Sequence, residues 1–295
     1  MILILILFLL LGKRTNSSYQ MQGKTYFVTG ATDGIGQHTA TRLYKAGANV
    51  LLHGRDWNKL HKTKEKILGE NIQVEGSKQY LKCYCADLQS LSGTKQLAKE
   101  IIASNEKLDG LINNAGVFQE SLIFTEDGLE STFAVNVCAP YILVCLLLPL
   151  LKAVQYSKIL NVSSISQSGQ LRFDNLRYEK GGFSSYNSYG FSKLCIAAMS
   201  NELAVRIPAE DALVISCDPG TVNTKMLLAG WGYCGINIAD ANDEFNLISA
   251  PFDSSWHGQY FVGEQISRCS RDVYDATKRS ELWSTLERIT GVSLQ

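Results

Sequence analysis

Short runs of consecutive apolar residues alternate along this chain with longer stretches in which apolar positions recur every three or four residues. The first pattern reads as strands at Thr25–Thr29, Asn49–His53, Tyr80–Ala86, Leu108–Asn113, Lys158–Val162, Ala212–Cys217 and Gly258–Val262. The second predicts helices over Ile35–Ala46, Trp57–Leu68, Ser92–Ser104, Asp127–Leu151, Tyr186–Ile207 and Asp272–Thr290. Strands that do not alternate apolar with polar residues are buried on both faces, so the repeated strand–helix order predicts an α/β fold. Its core would be a doubly wound parallel sheet of about seven strands. No linker interrupts the pattern from about residue 21 to 295, so one domain is expected there. Ligands on such sheets bind beyond the carboxyl ends of the strands, and the residues after each strand carry the chemistry.

Composition narrows the function classes. The chain has 295 residues, 28 Lys+Arg balance 28 Asp+Glu, and 45% of positions are hydrophobic. That is enough apolar material for a sizeable core. Zero net charge gives no basic field for nucleic acid, so no nucleic-acid partner is expected. The eight cysteines form no C-x-x-C pair, and none has a histidine at ligand spacing, so no metal site is expected. They read as small buried hydrophobes in a reducing compartment.

Residues 1–20 stand apart. Residues 1–11 are an unbroken apolar run, followed by Gly12-Lys13-Arg14. A bilayer-spanning helix needs about 20 residues, so the run is short for one. It reads as a membrane anchor, a cleaved signal, or a dispensable extension with Met21 as the working start. Basic residues just after it favour keeping the rest of the chain cytoplasmic. Membrane association through residues 1–12, on the cytoplasmic face of the endoplasmic reticulum, and a cytoplasmic location are both open.

After the first strand comes Thr29-Gly30-Ala31-Thr32-Asp33-Gly34-Ile35-Gly36. Glycines there let the backbone turn sharply and approach a phosphate at a helix N-terminus. The second strand ends in His53-Gly54-Arg55-Asp56. A cofactor with a free ribose 2′-hydroxyl needs a carboxylate at this point, whereas Arg55 offers a guanidinium to a 2′-phosphate. NADP(H) is therefore favoured over NAD(H). Asp33 and Asp56 weigh against it, the first by adding negative charge near the phosphates and the second by competing for Arg55. The four histidines read as surface or packing residues.

Tyr189-Gly190-Phe191-Ser192-Lys193 places a phenol and an ammonium one helical turn apart on one face. The ammonium should lower the phenol pKa and suit it to proton transfer at a carbonyl oxygen. Other short motifs close further strands: Asn113-Asn114-Ala115-Gly116, Asn161-Val162-Ser163-Ser164, and Asp218-Pro219-Gly220-Thr221-Val222-Asn223-Thr224. Taken together, in this order, the set resembles the single-domain branch of the short-chain dehydrogenase/reductase superfamily, whose sheet is of the Rossmann type.

The resemblance implies roles for matching positions. Tyr189 would be the general acid/base, Lys193 would tune it and hold the nicotinamide ribose, and Ser164 rather than Ser163 would hydrogen-bond the substrate oxygen. Asn136 would hold a water linking Lys193 to solvent. Gly30, Thr32, Asp33, Gly34, Ile35 and Gly36 would cradle the pyrophosphate, and Asp87 and Leu88 the adenine end. Asn114, Ala115 and Gly116 would line the cofactor, and Pro219, Gly220, Val222 and Thr224 would position the carboxamide. The long insert Gln167–Tyr186, with Gly258-Gln259-Tyr260-Phe261 and Glu281-Leu282-Trp283 near the end, looks like the retinol-dehydrogenase-like and WW-domain-oxidoreductase-like group. That likeness implies a lipophilic carbonyl or alcohol substrate, retinoid- or steroid-like, and a homodimer is one expectation. Residues 225–252, with Met226, Leu227, Leu228, Trp231, Tyr233 and Phe245, would form an apolar lid or simply pack. The rival readings are a non-catalytic NADP-binding scaffold, a sugar-nucleotide epimerase and a methyltransferase.

Overall fold

The computed structural model describes residues 21–70, 78–176, 178 and 180–294. The expectations for residues 1–20 lie outside the described residues. Eight strands form one sheet in the order β3-β2-β1-β4-β5-β6-β7-β8. They are β1 (Thr25–Val28), β2 (Asn49–Gly54), β3 (Leu81–Cys85), β4 (Gly110–Asn113), β5 (Lys158–Val162), β6 (Leu213–Asp218), β7 (Tyr260–Val262) and β8 (Gln265–Ser267). All neighbouring pairs are parallel except β7 with β8. The chain order reverses between β1 and β4, and this switch point opens a crevice at the strand carboxyl ends. The eighth strand is the addition to the expected seven. It is only three residues long and returns from β7 through Gly263, too short a run to show periodicity.

The flanking helices are α1 (Gly34–Lys45), α2 (Trp57–Gly69), α3 (Leu91–Ser104), α4 (Ser131–Lys152), α5 (Ser185–Arg206), α6 (Lys225–Trp231), α7 (Asp243–Ser249) and α8 (Ala276–Thr290). Two buried clusters lie on opposite faces of the sheet. One is built from α3, α4, α5 and α8, the other from α1, α2 and α7. Helix α4 is long and apolar enough to cross a membrane, but it is buried inside the fold as the core helix of its face.

Helix α4 starts at Ser131, not at Asp127. Gly128 has φ +72°, Thr125 N–H donates to the Leu129 carbonyl, and the Glu130 carboxylate accepts the Thr132 and Phe133 N–H groups at 2.7 and 2.9 Å. A left-handed glycine and a capping carboxylate end the preceding turn and begin the helix. Residues Ala134–Cys138 form a π-helical turn. The final helix is also shorter than expected: Arg271–Tyr274 is a separate 3₁₀ turn, and Asp275 caps α8. Helix α8 lies across α5 and α4. Trp283 is fully buried, its ring edge-on to Tyr141 at 5.0 Å and beneath the Arg206 guanidinium at 4.5 Å.

Candidate active site

A cleft of about 640 Å³ opens at the switch point, above the carboxyl ends of the strands. Its floor is the glycine turn between β1 and α1. Gly30 has φ +66° and donates its N–H to Nδ1 of His53 at 3.3 Å. A Cβ on Gly36 would meet the Gly30 carbonyl oxygen at 2.6 Å and clash with the Asn114 amide. The turn therefore needs glycine for close approach, and this leaves its backbone open to a ligand. Asn114 Nδ2 donates to the Thr29 carbonyl at 2.7 Å, and Ala115 N–H donates to Thr29 Oγ1 at 3.0 Å. These two bonds lock the ends of β1 and β4 together beside the crevice.

Asp33 caps α1 by accepting the Gly34 N–H at 2.9 Å, and its other oxygen pairs with Lys225. Partial burial opposes ionisation of Asp33, but Lys225 and the Gly34 N–H outweigh it and hold the carboxyl below its usual range. The charge that weighed against a phosphate is thus balanced. Asp56 does not take Arg55 either, because its carboxylate caps α2 on the Lys59 N–H at 2.8 Å. Arg55 has no ion-pair partner among the described residues.

The same end of the cleft holds a second cation, Lys59, which the sequence reading missed. Its signal was present: Lys59 stands four residues after Arg55, in the first turn of a helix. Gly54 lies so close to Thr32 that a Cβ would meet its methyl at 2.6 Å. Asp87 and Leu88 face this end from the end of β3.

His53 is one of the packing histidines. It is buried, and its Nε2 donates to the Ala86 carbonyl at 3.1 Å while Nδ1 accepts from Gly30. It therefore ties the ends of β1, β2 and β3 together. Burial pushes its pKa down to about 4, and the Ala86 bond and Asp87 oppose this only in part. His257 bridges in the same way, accepting from Val214 N–H at 3.2 Å, with Nε2 2.9 Å from the Ala204 carbonyl.

On the other side of the cleft, α5 presents Tyr189 and Lys193 one turn apart, both buried. Lys193 Nζ donates to the Val162 carbonyl at 2.9 Å and lies 5.5 Å from the centre of the Tyr189 ring. The two serines after β5 divide. Ser163 Oγ donates to the Lys193 carbonyl at 2.7 Å, so its hydroxyl is spent on holding the helix. Ser164 hydrogen-bonds the Tyr189 side chain and lines the cleft.

The ammonium was expected to lower the phenol pKa, and the structure corrects this. Burial pushes Tyr189 up to about 12. The hydrogen bond to Ser164 opposes this rise, and the Asp218 carboxylate adds to it. Burial brings Lys193 down to about 8, against the opposing influence of Cys217, Glu244 and Asp218.

Asn136 is the one expected site residue that does not line the cleft. It sits in the π-helical turn of α4, where Oδ1 accepts the Val117 N–H at 2.8 Å. Its Nδ2 donates to the Val117 carbonyl at 3.1 Å and Ser192 Oγ at 2.9 Å. A Cβ on Gly116 would stand 3.4 Å from Asn136 Oδ1 and 3.5 Å from Lys193 Nζ, so this glycine keeps the gap between them open.

After β6, Pro219, Gly220, Val222 and Thr224 line the cleft and lead into α6, which Thr224 caps through the Leu227 N–H at 3.2 Å. Only the first part of residues 225–252 lines the cleft. Lys225, Met226, Leu227, Trp231 and Cys234 face the cleft. Phe245 instead lies under the Arg42 guanidinium at 4.0 Å, and α7 packs on α1. Leu247 and Ile248 pull α7 into the core, so its apolar residues are packing. Among the described residues no group of His, Cys, Asp or Glu is placed to hold a metal ion.

The sequence matches the short chain dehydrogenase family over residues 24–229. The chain belongs to this family. It is 35% identical to retinol dehydrogenase 13 of Homo sapiens, over 94% of this chain and 87% of that one. It is 31% identical to retinol dehydrogenase 14 of Mus musculus, over 92% and 87%. Among solved structures, an uncharacterised protein from Mycobacterium paratuberculosis superposes with a TM-score of 0.75 at 24% identity, over 93% of this chain and 96% of that one. A short chain dehydrogenase from Shigella flexneri in complex with NADP gives 0.68 at 23%, over 84% and 100%. These two likenesses are of fold. The protein is thus an oxidoreductase acting on alcohol and carbonyl groups with a nicotinamide cofactor. The open glycine turn, the cleft and its cation-bearing end fit such a dinucleotide.

Proposed function

We propose that this protein interconverts a lipophilic aldehyde or ketone and its alcohol, with NADP(H) in preference to NAD(H). The observation that carries the reading is the convergence of Ser164, Tyr189 and Lys193 at one end of a cleft whose other end holds Arg55 and Lys59. A nicotinamide bound there supplies or accepts the hydride. Every other task falls to this chain's residues. Ser164 Oγ holds the substrate oxygen. Tyr189 Oη gives the proton to that oxygen in reduction and takes it in oxidation. Lys193 steadies the charge that Tyr189 carries when deprotonated and holds the ribose. Asn136 keeps the Gly116 strand end and the Lys193 pocket in register, and the gap beside Gly116 gives a water room to reach Lys193. The glycine turn, Asn114 and Ala115 seat the pyrophosphate and adenosine half. Arg55 and Lys59 take the 2′-phosphate, a doubly charged group for which a guanidinium fork and an ammonium are suited partners.

The retinol dehydrogenases among the relatives support a lipophilic substrate, as do Met226, Leu227 and Trp231 on the cleft wall. The apolar run at residues 1–11 supports attachment to a membrane. The test uses purified residues 21–295 with NADPH and NADH and a panel of retinal, alkyl aldehydes and steroid ketones, with Tyr189→Phe as the blank. Turnover with NADPH that vanishes in the blank is expected. Tight NADPH binding without turnover of any panel member favours the scaffold reading, and a preference for NADH overturns the roles given to Arg55 and Lys59.

A further inference from the structure

Trp231, the last residue of α6, faces the cleft beside Tyr189 and is held there by rings behind it. Its ring centre lies 5.6 Å from that of Tyr189, 5.0 Å from Phe118 and 5.3 Å from Tyr186. Phe118 also meets Tyr186 at 5.3 Å and Tyr189 at 5.8 Å, so the four rings form one cluster. Tyr186 Oη donates to the carbonyl of Gly230, the residue before Trp231. A Cβ on Gly230 would rest on the Phe118 ring at 3.5 Å, so the backbone of α6 is seated on that ring as well. Phe118 and Tyr186 do not line the cleft; Trp231 does.

A tryptophan that only packed a lid would be covered. This one is 37% exposed, on a helix with no buried residue, and its backbone is fastened by the ring beneath and the hydroxyl beside it. The fastening fixes an aromatic surface next to the reacting phenol. A carbonyl oxygen held by Ser164 and Tyr189 carries its substituents past that surface, because the Trp231 and Tyr189 rings are already in edge contact. Planar unsaturated groups stack on or abut such a ring favourably, while a saturated ring of equal size is thicker and lacks the complementary quadrupole.

We propose that Trp231 is a specificity-determining residue of this site, favouring carbonyl compounds whose carbonyl is attached to a flat unsaturated group, and that Phe118 and Tyr186 are positioning residues that hold its ring. The proposal rests on the reading that Ser164 and Tyr189 hold the substrate oxygen.

Benzaldehyde and cyclohexanecarbaldehyde are matched in carbon count and differ in flatness, so the ratio of their kcat/KM values isolates the effect. Measured with NADPH, this ratio is expected to fall about 3- to 10-fold in Trp231→Leu relative to the unsubstituted protein. It should stay within about 2-fold in Trp231→Phe, which keeps a ring. Phe118→Leu should move the ratio in the same direction by a smaller factor, and it carries the test should Trp231→Leu fail to bind NADPH. An equal ratio in Trp231→Leu and the unsubstituted protein, both turning over, overturns the proposal and leaves the functional reading intact. If the unsubstituted protein binds NADPH and turns over neither aldehyde, the same ratio is taken between retinal and a long saturated alkyl aldehyde, and turnover of the saturated aldehyde without retinal also overturns the proposal. No turnover of any carbonyl removes the functional reading and this proposal with it.

Discussion

The Nζ of Lys193 donates to the carbonyl oxygen of Val162 at 2.9 Å, and this bond sets the register between α5 and the end of β5. The next two residues of the strand end complete the arrangement. Ser163 Oγ returns a bond to the Lys193 carbonyl, and Ser164 is left to meet Tyr189. The strand and the helix are thus bonded in both directions, so the phenol and the serine hydroxyl are held by paired hydrogen bonds rather than by loop packing. Positioning of this kind is what proton transfer to a bound oxygen requires.

Replacing Tyr189 with Phe removes the proton donor and leaves the ring cluster in place. The expected result is a loss of about 10²- to 10⁴-fold in kcat. Circular dichroism and the thermal midpoint should be little changed, because among the described residues the hydroxyl bonds Ser164 alone. A loss below tenfold would move the proton-transfer role to another group.

The 2′-phosphate cations are separable from the rest of the cleft. Arg55→Ala and Lys59→Ala should each weaken NADPH binding by about 10- to 100-fold, in line with hydrogen bonds to a charged group. NADH binding should change by less than about 3-fold, since no 2′-phosphate is present. Titration of nicotinamide fluorescence measures both. Equal losses for the two cofactors would mean that these side chains shape the cleft rather than read the phosphate.

Two buried groups pull stability in opposite directions with pH. The His53 pKa lies near 4 in the fold against 6.5 for the ordinary group, so the unfolded chain binds more protons between those values and stability rises with pH there. The Glu244 carboxyl is fully buried, accepts Thr39 Oγ1 on one oxygen, and is raised by burial to about 7 from 4.5. The fold binds more protons between those values, so stability falls as pH rises. The two slopes, each at most about 1.4 kcal/mol per pH unit, oppose each other between pH 4.5 and 6.5. In Glu244→Gln the His53 slope should emerge, with stability rising with pH relative to the unsubstituted protein across that window. Urea midpoints at pH 5 and pH 6.5 measure it, and parallel curves for the two proteins would refute the assignment.

Helix α8 is a structural part of the core face. Trp283 is enclosed by Tyr141 and Arg206, and Tyr141 Oη donates to the Val292 carbonyl at 2.9 Å. Trp283→Ala should cost about 3–5 kcal/mol in chemical denaturation. Because α8 lies over α4 and α5, pairing of two chains through those long helices would require it to move. Residues 21–295 are therefore expected to sediment as single chains at micromolar concentration, and a dimer that keeps α8 in place would show that another face does the pairing.

The sheet, the positions of its first six strands and the cofactor turn were legible because each rests on local chemistry. Runs of Val, Ile and Leu bounded by polar turns declare buried strands, and the glycines at positions 30, 34 and 36 declare a turn with no room for side chains. Tyr189 and Lys193 share a helix face by spacing alone. The order that sets β1 beside β4, and hence the place of the crevice, is a tertiary relation, because the same alternation serves more than one strand order.

What spacing could not reach was any relation between side chains distant in sequence. His53 is a neutral pin because two strands bury it, and that burial overrides its ordinary titration. The cleft lining stops at Cys234 rather than running on to Phe252, because α7 buries Leu247 and Ile248 in the core. The Tyr189 phenol is raised, not lowered, because withdrawal from water outweighs the groups that favour its charge. Local pattern determines which elements form. Desolvation and packing between elements, which no single stretch of chain contains, determine how the site is charged and what closes over it.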